Sequence, residues 1–421
     1  MSDQTFRKYR FGTDYRISWP SLPGISVQPS RVDLIQEQYR HDILIIEYTT
    51  ISPLYFSIIK TGIPIKFEWK QGNKNKIWVG YVSYISKELT PATQQLMQIH
   101  CVSASYPLKE KITRVFNNKT IPEIAEIIAI ENGFKFTGDS DSRRFEQLTI
   151  AGHSYWEWLQ EQAKRIGFAM VIDNTHLIFR SIDKLIDSNF SDVPVLSQRT
   201  SVGPTGQDFF DRTLDYFKVL NGEHIEGTEY LHTNKQVAGI NPYTEKLITT
   251  SQSSTTIGES LRSSVSDSLF NEPINSQVTH NITDVESVTK GHAHMSRFNI
   301  PAKILCQGDP RFKPYGVIYV DGTGNSTDGH WIIKQVTHRF FKLGQYQVEM
   351  NVVTDGLNST KSTAFRDTNF GRIGTVDLEA NLLNNLNKPV KQNTSVLDSQ
   401  TMLISMGNQG YLRTPMRWNS R

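Results

Sequence analysis

The sequence predicts a mostly β, α+β fold: two β-units flank a small helix-helix-hairpin module, and an extended C-terminal tail follows. Three observations carry this reading. Strand-period alternation recurs near both ends of the 421-residue chain. Between those stretches lie two helix-start signals, each followed by a short apolar stripe and a glycine stop. After about residue 358 the apolar density falls. The expected organisation is therefore an N-terminal arm (1–30), a first β-unit (31–108), the module (109–190), a second β-unit (191–358) and the tail (359–421).

In the first unit Ile63, Ile65, Phe67 and Trp69 fall on one face of a strand, with Lys66, Glu68 and Lys70 on the other. A polar turn at Gln71-Gly72-Asn73-Lys74 leads to a return strand from Ile77 to Val82. In the module, Thr120-Ile121-Pro122-Glu123 forms a capping box with proline in the first turn. The stripe Ile124, Ile127, Ile128 follows, and Gly133 ends the helix. Ser154-Tyr155-Trp156-Glu157 repeats the start, Leu159, Ala163 and Ile166 supply the stripe, and Gly167 the stop. Strands from Phe168 to Ile172 and Leu177 to Phe179 then surround a turn at Asp173-Asn174-Thr175-His176.

The second unit repeats the pattern of the first. Gly316 to Val320 reads as a strand, Asp321 to Gly329 as a Gly-rich turn, and Trp331 to Val336 as the return; Tyr346, Val348, Met350 and Val352 form a closing amphipathic strand. The spacing from Gly62 to Trp78 echoes that from Gly316 to Trp331, as two copies of one unit would, although any two hairpins share something of this look. Residues 247–268 hold twelve Ser or Thr among 22, too few large apolar positions for a core, and are expected as an exposed excursion. In the tail one short helix is expected from Val376 to Asn387, ahead of Pro389.

With 45 basic and 42 acidic residues the net charge is only +3, which argues against a protein that coats nucleic acid. Cys101 and Cys306 stand among apolar neighbours outside any ligand-spaced cluster and are expected to be reduced and buried. No apolar run reaches the length of a membrane span, and the first residues do not resemble a signal peptide, so a soluble chain made in the cytoplasm is expected.

The search for catalytic chemistry is nearly empty. His292 and His294 would share a strand face, but no acid or thiol accompanies them, so solvated histidines are favoured over a metal site. Glu157 and Glu161 lie four apart on one helix surface, whereas glycosidase carboxylates flank a cleft from opposite sides. The glycines at 322 and 324 lack a following GK[ST] and suit a hairpin turn better than a phosphate loop. Neither a cofactor nor a catalytic residue is expected. At the N-terminus Arg7, Tyr9, Arg10 and Trp19 interleave cations with aromatics. Single-strand binders share that pattern, but so do protein interfaces, which are favoured here. Near the other end Arg413, Arg417 and Trp418 are candidate interface anchors. Trp158 adjoins the apolar stripe and reads as core, while Trp156 points elsewhere and stays open as a glycan-stacking ring.

The run from Phe116-Asn117-Asn118-Lys119-Thr120 through Gly133, then Ser154 to Leu159, Ala163, Gly167 and Leu177-Ile178-Phe179, resembles the middle of phage late-control D and baseplate-hub proteins. A second match follows in the family's order at Ala302 to Leu305, Gly308-Asp309-Pro310, Pro314-Tyr315-Gly316 and Val336-Thr337-His338, and a weaker one spans Ile58 to Val82. The resemblance implies two tube-like β-barrel domains per chain and a non-enzymatic homotrimer joining a tail tube to a central spike. The implied partners are the tail tube protein and the central spike protein, with tape-measure and baseplate wedge proteins as further candidates. DNA would meet the chain only in transit through the channel, and the location would be the virion tail. The Ser/Thr-rich excursion and the tail match nothing in that pattern. A tail-associated peptidoglycan hydrolase and a monomeric glycan-binding module are the rival expectations.

Overall fold

The computed structural model describes residues 13–22, 28–49, 58–71, 74–89, 95–141, 143–189, 192–197, 212–219, 234–240, 247–252, 271–275 and 300–354 except 324–326 and 343, with isolated positions 288, 291 and 298. The first strands are β1 (Asp14–Ser18), β2 (Arg31–Glu37), β3 (Ile43–Thr49), β4 (Pro64–Gln71), β5 (Lys74–Leu89) and β6 (Gln95–Ser103). The middle holds β7 (Lys111–Thr120), α1 (Ile121–Glu131), β8 (Lys135–Gly138), β9 (Arg144–Ser154), α2 (Tyr155–Ile166), β10 (Phe168–Asp173), β11 (His176–Ser181) and α3 (Ile182–Asn189). The remainder is β12 (Val195–Ser197), β13 (Arg212–Val219), β14 (Asn234–Ile240), β15 (Leu247–Gln252), β16 (Asn271–Asn275), β17 (Ile300–Gln307), β18 (Val317–Asp321), β19 (Gly329–Phe341) and β20 (Tyr346–Thr354).

Strand alternation builds one continuous core. Val32, Leu34, Leu44, Ile46, Ile65, Phe67, Met97 and Ile99 point inward from the first strands. They belong to the same buried cluster as Ile304, Val336, Val348 and Met350 from the last ones. The hydrogen-bond ladder is continuous too: twelve strands run in the order β1-β4-β5-β6-β3-β2-β19-β18-β12-β13-β17-β20. Because β20 also pairs with β19, the second half of that order closes into a six-stranded ring, whereas the first half stays open. Two separate barrels were the expectation; strand pairing closes one and joins the other to it.

The reason is the length of β19. Along one edge its first residues pair with β18, Ile332 opposite Val317, and its later ones pair with β2, from Gln335 opposite Glu37 to Phe341 opposite Arg31. A bulge between Ile333 and Gln335, on the β20 side, marks the place where it passes from one partner to the other. Bulges bend a strand and increase its twist, which is what such a transfer needs.

The arm assigned to residues 1–30 is partly strand. β1 pairs antiparallel with β4, and Trp19 just beyond it is 4% exposed within the core. Both capping boxes form, Thr120 with Glu123 and Ser154 with Glu157, and Gly133 and Gly167 take φ of 78° and 71°. The helices are not a simple hairpin pair, however. The chain between them forms β8 and β9, and β9 pairs along β7, so that Thr120 and Ser154 each end a ribbon strand and cap a helix at once. Arg114–Glu131 and Arg144–Glu123 ion pairs hold α1 to that ribbon. The expected hairpin forms as β10 and β11 around Asn174, Asp173 pairing with His176, with β8 added parallel to β11. Ile124 and Ile128 are fully buried, but Ile127, expected beside them, is half-buried because the buried face runs through Ala125 and Ala129.

Of the Ser/Thr-rich excursion, Leu247–Gln252 is β15, antiparallel to β14, which also pairs with β16; residues 253–268 lie outside the described residues. So do His292, His294, the expected helix at 376–387 and the whole tail. Gly291 lies against the end of α2, where a Cβ would come within 2.1 Å of the Arg165 carbonyl oxygen. Cys101 and Cys306 are both buried and unbridged.

Candidate functional site

The open sheet, the ring and the helical module meet where β19 changes partner. Ile333 exchanges backbone hydrogen bonds with Tyr315 and Gly316, and the Gln38 backbone N–H donates to the next carbonyl, Lys334 O, at 3.0 Å. Tyr39 and Tyr315 flank this point, both with left-handed backbone (φ 59° and 62°) and with their rings edge to face at 6.1 Å. A bulky side chain in that conformation is held only when its surroundings fix it. Here the module supplies part of the restraint: the buried Tyr39 hydroxyl donates to Phe168 O at 2.8 Å, and Asn189 Nδ2 donates to Tyr315 O at 2.9 Å. Burial pushes the Tyr39 hydroxyl up to about 12, so it remains a donor.

A charged clasp lies beside this joint. Asp309, fully buried, accepts from the Arg311 backbone N–H and guanidinium and from Arg212 Nη2 at 2.8 Å. Arg212 also donates to Gly308 O and to Gln71 Oε1, so it ties the end of β4 to the ring. Burial alone would raise the Asp309 carboxyl; the hydrogen bonds and charge of Arg311, with the charge of Arg212, hold it below its ordinary value. Arg311 reaches on to Asp192, which Lys74 also approaches at 3.4 Å.

Next to the clasp is a cleft of about 500 Å³ with Lys74, Lys76, Asn189, Asp192, Arg311 and Lys313 in its walls. It shares Lys76, Asn189 and Lys313 with an inner pocket reaching Asp42, Trp69, Trp78 and Asp173. Asp42 accepts from Gln36 Nε2 at 2.8 Å; burial nevertheless raises its carboxyl to about 7, and the nearby Asp173 adds to the rise. His41 stacks on Trp156 with ring centroids 3.7 Å apart and shares a 2.6 Å hydrogen bond with Ser105, and burial plus the Lys109 charge lower it to about 3. Within the ring, burial lowers His338 to about 3 while its Nδ1 meets the Tyr346 hydroxyl at 2.7 Å.

Of the sequence-selected site residues, only Trp19 is among the described ones. Arg7, Tyr9, Arg10, Arg413, Arg417 and Trp418 lie outside the described residues. Trp19 is packed in its own chain's core and offers no exposed ring, because β1 draws it in beneath the sheet. Trp156 is 5% exposed and its face is taken by His41, which leaves no ring surface for a glycan, and Trp158 is core. Sequence reasoning missed Tyr39, Asp42, Lys76, Arg212 and Lys313. A signal existed only for Asp309, within the Gly308-Asp309-Pro310 motif. Among the described residues no three His, Cys, Asp or Glu side chains are grouped to hold a metal, and no helix is long and apolar enough to cross a membrane.

No protein-family model and no curated protein matches the sequence. Solved structures do share the fold. A 43 kDa tail protein of prophage MuSo2 from Shewanella oneidensis superposes with a TM-score of 0.57 at 13% identity, over 82% of this chain and 100% of its own. The tail protein from Neisseria meningitidis MC58 gives 0.56 at 10% identity, over 83% and 98%. The fold described above is thus shared with these two tail proteins, across nearly their whole length.

Proposed function

We propose that this chain is a structural component of a phage-type tail, a baseplate hub that forms a homotrimeric ring between the tail tube and a central spike. The observation that carries the reading is the coverage of the fold likeness: the tail proteins are matched over 98% and 100% of their own length, and this chain over 83% and 82% of its own. A part shared only with a widespread module would leave most of their length unmatched. The order of the sequence motifs adds to this, since Gly308-Asp309-Pro310 and Pro314-Tyr315-Gly316 fall at the joint between the two β-units.

Two β-units per chain suit a three-chain ring that presents six-fold character to a hexameric tube. Such a ring needs two different adhesive faces on each chain. The role is non-enzymatic in this reading, and the partners are the tube, the spike and neighbouring copies, with the virion tail as the location. Light scattering of the purified protein, alone and with its spike partner, should give about three times the 48.0 kDa chain mass. A monomer at every concentration, with the partner present, would overturn the hub assignment. The rival glycan-binding reading loses its ring at Trp156.

A further inference from the structure

We propose that the cleft at the three-way joint is a docking site for an acidic protein segment, whose carboxylates would seat between Lys76 and Lys313. The two lysines come from the open sheet and from the loop leading into β18, and both line the cleft and the pocket behind it. Neither has an ion pair among the described residues, while the neighbouring cations do: Lys74 and Arg311 share Asp192, and Arg311 also holds Asp309. Lys313 is exposed at the lip, yet the cleft walls desolvate its ammonium and the charge of Lys76 lowers its pKa further, with the charge of Asp173 opposing them in part. Two like charges lining one cleft repel each other, and an anion seated between them removes that repulsion. Behind them the pocket is walled by the buried indoles of Trp69 and Trp78, 5% and 3% exposed, whose N–H groups face Tyr346 and Asp42.

The chemistry favours carboxylates over a nucleic acid. A phosphate backbone needs a track of cations with rings on which bases stack. Among the described residues only two cations of the cleft lack an ion pair, Asp173 and Asp192 stand beside them, and both tryptophans are buried. One or two acidic side chains fit that pattern; a polyanion meets the flanking acids. This inference rests on the cleft alone and holds or fails whether or not the chain belongs to a tail.

The test is fluorescence anisotropy of a labelled hexaglutamate peptide titrated with the full chain at low salt. Saturable binding is expected, weakened at least tenfold in the Lys76→Glu, Lys313→Glu double variant and unchanged in a Lys119→Glu, Lys135→Glu control outside the cleft. A Lys76→Gln, Lys313→Gln variant, checked by its melting temperature, repeats the measurement should charge reversal disturb folding. Absence of saturable binding, or equal affinity in both cleft variants, would overturn the proposal. So would an oligothymidylate that binds more tightly than the peptide and is lost in the same variants, since the site would then be one for phosphate chains.

Discussion

The two β-units share a core and a strand, but they end differently. The second is closed by ladder hydrogen bonds from β19 to β20 and back through β18, so every strand in it has neighbours on both edges. The first is left open by the ladder. Its outer strand, β1, pairs only with β4 among the described residues and reaches the far end of the sheet through a 3.3 Å backbone bond from Thr13 to Gly344 O and through Tyr15 against Phe340. A closed ring fixes its register all at once. An open sheet keeps an edge strand that a partner could extend. The ring is therefore expected to be the stiffer part, and the open sheet the more yielding one.

Removing the clasp tests that contrast most severely. Asp309→Ala would leave Arg212 and Arg311, 19% and 15% exposed, without their shared carboxylate at the ring's mouth. Breaking a buried ion pair on one side costs roughly 3–5 kcal/mol. The lower end is expected, because Arg311 keeps Asp192. Denaturant titration measures it, and a loss below about 0.5 kcal/mol would mean that the ring holds without its clasp.

A matched pair sharpens the comparison. Ile304 in β17 and Ile99 in β6 are both fully buried in one cluster, one in the ring and one in the open sheet. Truncation to alanine costs about 2–5 kcal/mol, and the value depends on how far the site collapses around the lost atoms. Both strands are paired on both edges, but β17 belongs to a closed ring and β6 to a sheet with a free edge among the described residues; a closed wall collapses less, so Ile304→Ala should exceed Ile99→Ala by about 1 kcal/mol or more. Equal losses would show that the open sheet is as stiff as the ring.

Acid probes both sides at once. His338 in the ring and His41 at the joint are held neutral, each lowered to about 3 from an ordinary 6.5. Between those values the unfolded chain binds more protons, so their contribution is complete above pH 6.5 and is lost as pH falls toward 3. Asp42 has the opposite sign. Raised to about 7, it favours the folded state below its unfolded value of 3.8, and that contribution is lost as pH rises through 7. Two histidines against one aspartate predict a net decline in melting temperature from pH 6.5 to 4, and Asp42→Asn should steepen it. An unchanged slope in Asp42→Asn would remove Asp42 from the account.

What the sequence made legible is what neighbouring residues decide. Both capping boxes, both glycine stops and the alternating strands around Phe67 and Met350 are read from a few consecutive positions, and they appear as read. Strand partners are not encoded that way. β12 is three residues long and buried throughout, yet it joins β18 to β13, and nothing local in Val195–Ser197 announces it. The β7–β9 ribbon escaped because its residues are mostly exposed and lack an apolar face, even though it sets the spacing of the two helix caps. The site was hidden for the same reason. Lys76 with Lys313, and Arg212 with Asp309, meet only after the ring has closed.

The smallest expected effect lies at the joint itself. Tyr39→Phe keeps the ring that packs edge to face on Tyr315 and removes only the hydroxyl that donates to Phe168 O. A net hydrogen bond is worth about 0.5–1.5 kcal/mol, and a carbonyl left unsatisfied in a buried place adds to the loss. About 1 kcal/mol of global stability is therefore expected. The distribution of that loss is more informative than its size. Tyr39 belongs to the segment between β2 and β3, and Phe168 begins the module's hairpin, so the bond crosses from the open sheet to the module. If the ring is the rigid element, amide exchange in Tyr39→Phe should quicken in β10 and β11 and leave β19 and β20 unchanged. Faster exchange in β19 instead would mean that the module braces the ring through the left-handed pair at Tyr39 and Tyr315, and that closure by the ladder alone does not account for its stiffness.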